Sequence, residues 1–363
     1  MAQNKEENQS CAFRTSIGGQ ALIEGILMRG PEKEAIVVRD QEGKLVEKVE
    51  PLKFVRDRYP ILGVPLIRGT VNFLDSMVHG VKALMYSADF YPDEEAAQPS
   101  KFEQWLEKHL SSKKLESAIV TLAVVLGVGL SIFLFMVLPT FLTGGLLHFF
   151  PDFPLWGRNL LEGLLRIAIF LLYLIFCSKQ KDIYRVFQYH GAEHKTIFAY
   201  EAGLPLTVEN VRKFPRLHPR CGTNFLMIVM CISIFVFAFL GWPNLLERIL
   251  SRILLMPVVA GVSYEIIRFA GRHNDNPWIH KLILPGLLLQ KLTTREPADE
   301  MIEVAIASVK AVVPVDGKAV VSLQVPDSIA LKAPVQAAEA AAEHPDAAPA
   351  ETGEEAAEGP SRE

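Results

Sequence analysis

The middle of the chain carries four long apolar segments, whereas both ends are rich in polar residues. About 20 apolar residues span the roughly 30 Å hydrocarbon core of a bilayer. The pattern therefore predicts about four transmembrane helices, at residues 117–147, 160–177, 225–241 and 253–270. We expect a membrane α-helical protein that crosses the bilayer several times.

Shorter patterns before the first apolar segment predict a small cytoplasmic α/β element. The glycine-bounded run 16–31 predicts a strand that contains Glu24, whose side chain we expect either in solvent or, if buried, paired. Residues 35–39 and 44–49 flank a glycine turn and predict a β-hairpin. Apolar positions at helical spacing within 70–87 predict an amphipathic helix that packs on the sheet or lies along the membrane face. Whether Glu24 and Arg29 approach a functional site stays open.

These patterns divide the chain into five parts. A polar leader opens it, and an Ala-, Pro- and Glu-rich tail, predicted to be disordered, ends it. Helical spacing within residues 300–313 predicts a second amphipathic helix before the tail. The boundaries we expect are 1–14 for the leader, 15–112 for the α/β element, 113–272 for the transmembrane region, 273–324 for a cytoplasmic or interfacial segment and 325–363 for the tail.

Charge placement predicts the orientation in the membrane. The connection 179–223, between the second and third apolar segments, is rich in Lys and Arg, whereas the other two connections are poor in them. Because basic residues favour the cytoplasmic side, we expect a multi-pass inner-membrane protein with both termini and this connection in the cytoplasm. The formal net charge of −4 offers no basic signature for nucleic acid, and the four cysteines include no CxxC pair that would indicate a disulfide framework.

The connection 179–223 also contains residues of the types that bind metals. His190, Glu193 and His194 form an HxxEH pattern, the arrangement of the inverted zinc-hydrolase motif. On a helix the two histidines lie one turn apart, about 5 to 6 Å between Cβ atoms, so both can reach one cation. Glu193 would border that metal and act as the general base, because zinc lowers the pKa of a bound water to about 7. The alternative is a pair of surface histidines beside a salt-bridging glutamate.

A third ligand must come from elsewhere in the chain. His218 and Cys221 lie in a polar turn that can fold back, and Glu265 lies inside the fourth apolar segment with Arg268 as its alternative partner. Glu201 shares the face of His194, but it lies about 10 Å further along the helix axis and is not expected to bind the same ion. Cys221 could instead be a nucleophile that a histidine activates, which is the weaker interpretation.

Several separate motifs carry a resemblance to a known family. The motifs are GGQALIEGILMRGP at 18–31, RG at 68–69, YHGAEHKT at 189–196, LHPRCGT at 217–223, SYE at 263–265 and TTREP at 293–297. The chain resembles the YqhQ-like bacterial membrane proteins over roughly residues 15–310. That resemblance implies a shared domain of unknown function that has been described as a predicted metal-dependent enzyme, with neither substrate nor reaction named.

The sequence thus predicts a membrane-embedded metal-dependent enzyme, a hydrolase that acts at the cytoplasmic face on a membrane-associated peptide or lipid. Its divalent metal, expected to be zinc, would be bound by His190 and His194, with His218, Cys221 or Glu265 completing the site. The alternative is a non-catalytic scaffold or lipid-binding assembly factor, in which the polar cluster only stabilises the connection between two helices. The substrate, the identity of the metal and the oligomeric state stay open.

Overall fold

A computed structural model describes residues 15–91, 112–150, 152–241, 244–272 and 277–313. The predicted leader 1–14 and tail 325–363 lie outside the described residues. The strands are β1 (Gly18–Leu22), β2 (Gly25–Arg29), β3 (Lys33–Arg39) and β4 (Leu45–Pro51). The main helices are α1 (Ile67–Ala88), α2 (Ser112–Ile132), α3 (Leu138–Leu147), α4 (Leu155–Cys177), α5 (Lys181–Glu201), α6 (Gly222–Ala238), α7 (Leu245–Arg272), α8 (Pro277–Thr293) and α9 (Asp299–Val312). Short helical turns occupy Val55–Arg58, Pro60–Gly63 and Val208–Arg212, and a π-helical turn at Phe133–Val137 joins α2 to α3.

The four strands form one antiparallel sheet in chain order. The predicted hairpin is confirmed by β3 and β4, which a turn with Gly43 at φ +83° connects. The prediction of a single strand over residues 16–31 is wrong, because the chain reverses at Ile23 and Glu24 to form the hairpin β1–β2. Glu24 lies in this turn with φ +49°, a left-handed conformation uncommon for a residue other than glycine. The run 16–31 therefore forms two short strands that pair with each other instead of one long strand.

One face of the sheet packs on two helices. Ile26, Met28 and Val37 from β2 and β3 are fully buried, and they join one apolar core with residues of α5 and α9. Helix α9 is almost entirely buried on its inner side, where Ile302 and Val309 contribute to this core. The amphipathic helix predicted at 300–313 is thereby confirmed, and burial of its apolar face stabilises the sheet beneath it.

Among the described residues, three helical segments are long and apolar enough to cross a membrane. They are Thr121–Leu147, Leu155–Cys177 and Leu246–Ala270. The third predicted crossing falls on α6, which is apolar but only 17 residues long. Length and composition therefore support three of the about four crossings that we expected, together with the N-terminal antiparallel sheet.

Buried polar contacts show how the apolar helices run relative to one another. Thr140 near the start of α3 donates to Glu162 near the start of α4 at 2.7 Å, and Arg252 near the start of α7 also pairs with Glu162. Asn159 of α4 donates to the carbonyl of Leu240, just beyond the end of α6, at 3.3 Å. Helices α4 and α7 therefore start at the same side of the bundle, and α6 ends there.

The opposite side of the bundle is where α4 ends and α6 begins, and we refer to it as the sheet side. Helix α5 follows α4 after three residues and carries the sheet on one face. Ala270, at the end of the apolar part of α7, lies on the sheet side as well. The HxxEH motif of α5 is thus at the sheet side of the bundle.

A buried charge cluster lies near the other side. Glu162 is 1% exposed and accepts hydrogen bonds from the guanidinium groups of Arg252 (Nη2 at 2.9 Å) and Arg166 (Nη2 at 3.3 Å). Ionisable groups at such depth are costly unless they are paired. The pairing of Glu162 with Arg252 therefore links α4 to α7.

Candidate metal centre

Helix α5 positions the two histidines of the motif. His190 and His194 lie one turn apart on the same face, with ring centroids 4.4 Å apart, and His194 is almost completely buried. The predicted helix over this motif is confirmed. The pairing of the two imidazoles follows from the four-residue spacing alone.

Cys221 joins the two histidines from the start of α6. It is the N-terminal capping residue of that helix, and its Sγ lies 3.1 Å from His190 Nε2. One ligand atom each from His190, His194 and Cys221 lies within 4.8 Å of the other two. Donors that share a tetrahedral zinc lie about 3.3 to 3.8 Å apart, because each metal–ligand bond is about 2.0 to 2.3 Å long. The three donors are therefore grouped somewhat more widely than a shared ion requires and would have to close around it.

Backbone carbonyl groups select the tautomer of both motif histidines. His190 Nδ1 lies 2.8 Å from the carbonyl oxygen of Thr293, and His194 Nδ1 lies 2.6 Å from that of Arg216. A carbonyl oxygen can only accept, so Nδ1 carries the hydrogen in the neutral form of each ring and Nε2 keeps its lone pair. His194 Nε2 is buried and has no hydrogen-bond partner among the described residues. Both rings therefore present the nitrogen that binds metals.

His218 is close by but differs in its tautomer. Its Nδ1 accepts a hydrogen bond from the backbone N–H of Arg220 at 3.3 Å, so a neutral ring carries its hydrogen on Nε2. Burial lowers the pKa of His218 well below its usual value, and His194 adds to that effect. The ring packs on Phe198 and His194, with centroids 4.5 and 5.5 Å away. His218 is thus a neutral neighbour and is not one of the three clustered donors.

Glu193 lies beside the histidines in a buried position. Its Oε1 accepts the backbone N–H of Gly19 in β1 at 2.9 Å, and its Oε2 is buried without a partner among the described residues. Burial raises the pKa of this carboxyl, while His190 and the Gly19 N–H act in the opposite direction. A Cβ at Gly19 would lie 2.7 Å from the carbonyl oxygen of Leu27 and 3.0 Å from Glu193 Cδ. The Gly18–Gly19 pair was the sequence signal for this close approach.

Helix α8 holds the turn that carries Cys221. Gln290 is fully buried, accepts the backbone N–H of His218 at 2.7 Å and donates to the carbonyl of the same residue at 2.7 Å. Asn224 donates to the carbonyl of Pro219 at 2.5 Å, and a Cβ at Gly286 would lie 2.2 Å from Asn224 Oδ1. The only sequence signal for this role was a glutamine directly after the apolar run 282–289.

The chain after α8 runs closely along α5. A Cβ at Gly191 would lie 2.1 Å from the carbonyl oxygen of Arg295. The backbone N–H of Arg295 donates to the carbonyl oxygen of Phe187 at 2.8 Å. Lys195 pairs with Glu296 on the same side. Gly191 therefore allows the contact that brings the Thr293 carbonyl to His190.

The two remaining glutamates lie in ion pairs away from the three donors. Glu265 forms a two-pronged pair with Arg68, at 2.7 Å from Nε and 2.5 Å from Nη2, so its partner comes from α1 rather than from Arg268. The structure does not bring Glu265 into the group of His190, His194 and Cys221. Glu201 is buried, accepts the backbone N–H of Thr15 at 2.8 Å and pairs with Arg220. It thereby holds the residue before Cys221.

The N-terminal hairpin reaches α5 through Glu24. The carboxylate accepts from Arg185 Nη2 at 2.6 Å and from the hydroxyl of Tyr189 at 3.1 Å. Burial and the charge of Glu24 raise the pKa of Tyr189. Arg29 points elsewhere and donates to Asp75 of α1 at 2.9 Å. Of the two residues whose role the sequence left open, Glu24 contacts the motif helix and Arg29 contacts α1.

Comparison with known proteins agrees with the resemblance seen in the motifs. A family model described as "Protein of unknown function (DUF1385)" matches residues 64–315. The "Uncharacterized protein YqhQ" of Bacillus subtilis (strain 168) is 36% identical over 301 residues, which cover 80% of this chain and 90% of that protein. No solved structure matches the chain. The protein therefore belongs to the DUF1385 family, as its likeness to the YqhQ-like membrane proteins led us to expect.

Proposed function

We propose that this protein is a membrane-embedded, metal-dependent hydrolase whose ion is bound by His190, His194 and Cys221. The observation that carries the proposal is the convergence of these three donors. In the neutral form of both imidazoles the hydrogen is on Nδ1, which leaves Nε2 free to bind a metal. Imidazole nitrogen and thiolate sulfur are both zinc ligands, and three protein ligands would leave a fourth position for water or substrate, as in catalytic zinc sites. Zinc is the first candidate among divalent metals.

Glu193 is the proposed general base. Bound zinc would act as a Lewis acid and would lower the pKa of a coordinated water to about 7. Glu193 borders His194, has one carboxylate oxygen held by Gly19, and has the other buried without a partner among the described residues. A carboxylate oxygen placed in this way suits a group that takes a proton from the attacking water and passes it to the leaving group.

The proposed substrate is a membrane-associated peptide or lipid. The support is the place of the three donors at the sheet side of the apolar bundle, where α6 begins. We propose that α6, although short, is a fourth crossing, because it packs along α4 and α7. The basic residues of 179–223 then favour an inner-membrane protein with both termini and the site in the cytoplasm.

Two other functions remain as rivals. The distance of 3.1 Å between Cys221 Sγ and His190 Nε2 also fits a thiol that an imidazole activates for nucleophilic attack. A non-catalytic scaffold or lipid-binding factor is favoured by the way in which Glu201, Lys195 and Gln290 tie the surrounding segments together. Each rival makes a different prediction for metal and thiol chemistry.

Membranes incubated with the purified protein test the proposal. Mass spectrometry of lipids and peptides should show products with the zinc-loaded wild type. No products should appear with Glu193→Gln or after the zinc is removed by chelation. Products that survive chelation but disappear after alkylation of Cys221 would favour the nucleophile. A protein that binds zinc at the three donors and yields no product from any membrane fraction would favour the scaffold.

A further inference from the structure

Helix α1 presents a continuous apolar stripe that no described residue covers. Leu74, Met77, Val78, Val81 and Met85 recur at helical spacing, and each is about half exposed. The stripe spans three turns, and Ile67 extends it toward the helix start with similar exposure. Apolar patches of this size on a protein surface mark contact with a membrane or another protein.

The start of α1 packs tightly on α7 through small residues. A Cβ at Gly69 would lie 2.6 Å from Tyr264 Cβ, and one at Gly261 would lie 2.3 Å from the carbonyl oxygen of Leu66. The hydroxyl of Thr70 donates to the carbonyl of Pro257 at 2.8 Å. The start of α1 is therefore attached to the middle of α7, a helix that is long and apolar enough to span a membrane.

The position of this contact along α7 gives its depth. Gly261 precedes Ala270, the sheet-side end of the apolar segment, by nine residues. At about 1.5 Å per residue this corresponds to about 14 Å, close to half of the roughly 30 Å hydrocarbon core. Leu66 and Gly69 would thus lie deep in the leaflet on the sheet side.

Both ends of the segment that contains α1 are attached to the sheet. Pro51 ends β4 opposite Lys33, and the hydroxyl of Tyr91 donates to the carbonyl of Arg39. Between these points the chain reaches Gly261 and comes back. We propose that residues 60–88 form a re-entrant membrane element, whose apolar stripe on α1 contacts the acyl chains of the leaflet on the sheet side.

Two features of the polar residues agree with a lipid environment. Arg68 lies near the deep end and has a two-pronged carboxylate partner in Glu265, as a charge at that depth requires. Lys82 lies near the shallow end and is exposed, where its ammonium group can reach lipid headgroups. The exposed side chains Leu254 and Val258 of α7 extend the apolar surface beside the start of α1. The occupant of the stripe is therefore lipid rather than a second protein.

The element also leads from the leaflet toward the metal centre. The ring of Phe73 packs against that of Phe225, with centroids 5.3 Å apart, four residues beyond Cys221 in the chain. The re-entrant element does not depend on the proposed hydrolase, because its evidence is the packing of α1 and not the metal ligands.

Tryptophan scanning in reconstituted bilayers tests the proposal without removing any cysteine. Leu74→Trp and Val78→Trp place a reporter on the stripe, and Ser76→Trp is the matched control on the exposed, polar side of the same helix. Emission of the four native tryptophans is subtracted with the unsubstituted protein. Lipids with brominated acyl chains should remove most of the added fluorescence of the two stripe variants and little of the control, while iodide in water should do the reverse.

The depth along the helix is the second readout. Bromine near the chain ends should quench Ile67→Trp more than Met85→Trp, and bromine near the headgroups should show the opposite order. Equal, shallow quenching of both would overturn the re-entrant element in favour of a helix on the membrane surface. Stripe reporters that iodide quenches would show a solvent-facing helix, and reporters protected from both quenchers would show a protein interface; either result overturns lipid contact. Gel filtration of each variant confirms that it is folded before reconstitution.

Discussion

The Nε2 atom of His190 lies 3.1 Å from the Sγ atom of Cys221, although 31 residues separate the two in the chain. The contact joins the motif helix α5 to the first residue before α6. Because Nδ1 of His190 is taken by the carbonyl of Thr293, the nitrogen that faces the thiol is the one with a free lone pair. Perturbing the residues that maintain this contact should therefore change metal affinity even when no ligand is touched.

Gln290 is the first such residue. Replacing Gln290 with Ala removes both hydrogen bonds to the backbone of His218 and loosens the turn that holds Cys221. Loss of such supporting contacts typically costs about 10- to 100-fold in metal affinity. Competition with a chromophoric chelator measures the zinc affinity. The control is Lys291→Ala, at an exposed neighbouring position, which should bind zinc as tightly as the wild type does. Equal affinities of the two variants would contradict a supporting role.

Gly191 tests the close approach of the segment after α8. In Gly191→Ala the new Cβ would lie 2.1 Å from the carbonyl oxygen of Arg295, so that segment must move away from His190. We expect a loss of about 1 to 3 kcal/mol in the free energy of unfolding, as for other overpacked sites, together with weaker metal binding. Gly222→Ala is the control, since a Cβ there meets no atom within 4 Å. Thermal unfolding with and without chelator compares them, and identical curves would exclude the steric account.

Glu193 separates catalysis from metal binding. Glu193→Gln keeps an oxygen that can accept from Gly19 but removes the base. Metal content should stay unchanged, while turnover of any substrate found in the membrane assay should fall by about 10²- to 10⁴-fold. Glu209→Gln, at an exposed position of the helical turn Val208–Arg212, serves as the control. Full activity of Glu193→Gln would exclude the assigned role, and loss of the metal would make Glu193 a structural or ligating residue.

The buried cluster around Glu162 should dominate the stability of the apolar bundle. Glu162→Gln leaves Arg252 and Arg166 without their shared carboxylate, and breaking a buried pair costs about 3 to 5 kcal/mol. Adding Arg252→Met should recover part of that loss, which a double-mutant cycle of denaturant unfolding measures. Glu247→Gln, at an exposed position of α7, the helix of Arg252, should have little effect on the free energy of unfolding. Additive costs in the cycle would mean that the two groups do not act together.

Local periodicity predicted several parts of this structure. The spacing of His190 and His194, the hairpin β3–β4 and the amphipathic helix α9 all follow from patterns within a few residues. The apolar segments were visible for the same reason, since burial in lipid requires long runs of apolar residues. These features depend little on which distant segment packs against them.

Features that depend on distant segments could not be chosen from the sequence. Cys221, His218 and Glu265 were all open as the third donor. In the structure the turn held by Gln290 brings Cys221 beside His190, and the approach of α1 pairs Glu265 with Arg68. The chain reversal at Glu24 was missed because both of its strands are apolar. In each case tertiary packing decided between alternatives that local patterns left open.

The metal content of the purified protein tests the central claim most directly. After zinc loading and removal of excess ion, elemental analysis should find about one zinc per chain, and X-ray absorption should show sulfur at about 2.3 Å and nitrogen at about 2.0 to 2.1 Å from the metal. His190→Ala, His194→Ala and Cys221→Ser should each hold far less, whereas His148→Ala, at an exposed position at the end of α3, should match the wild type. Wild-type protein with well under one zinc per chain, or ligand variants that bind as well as the wild type, would contradict the assigned site.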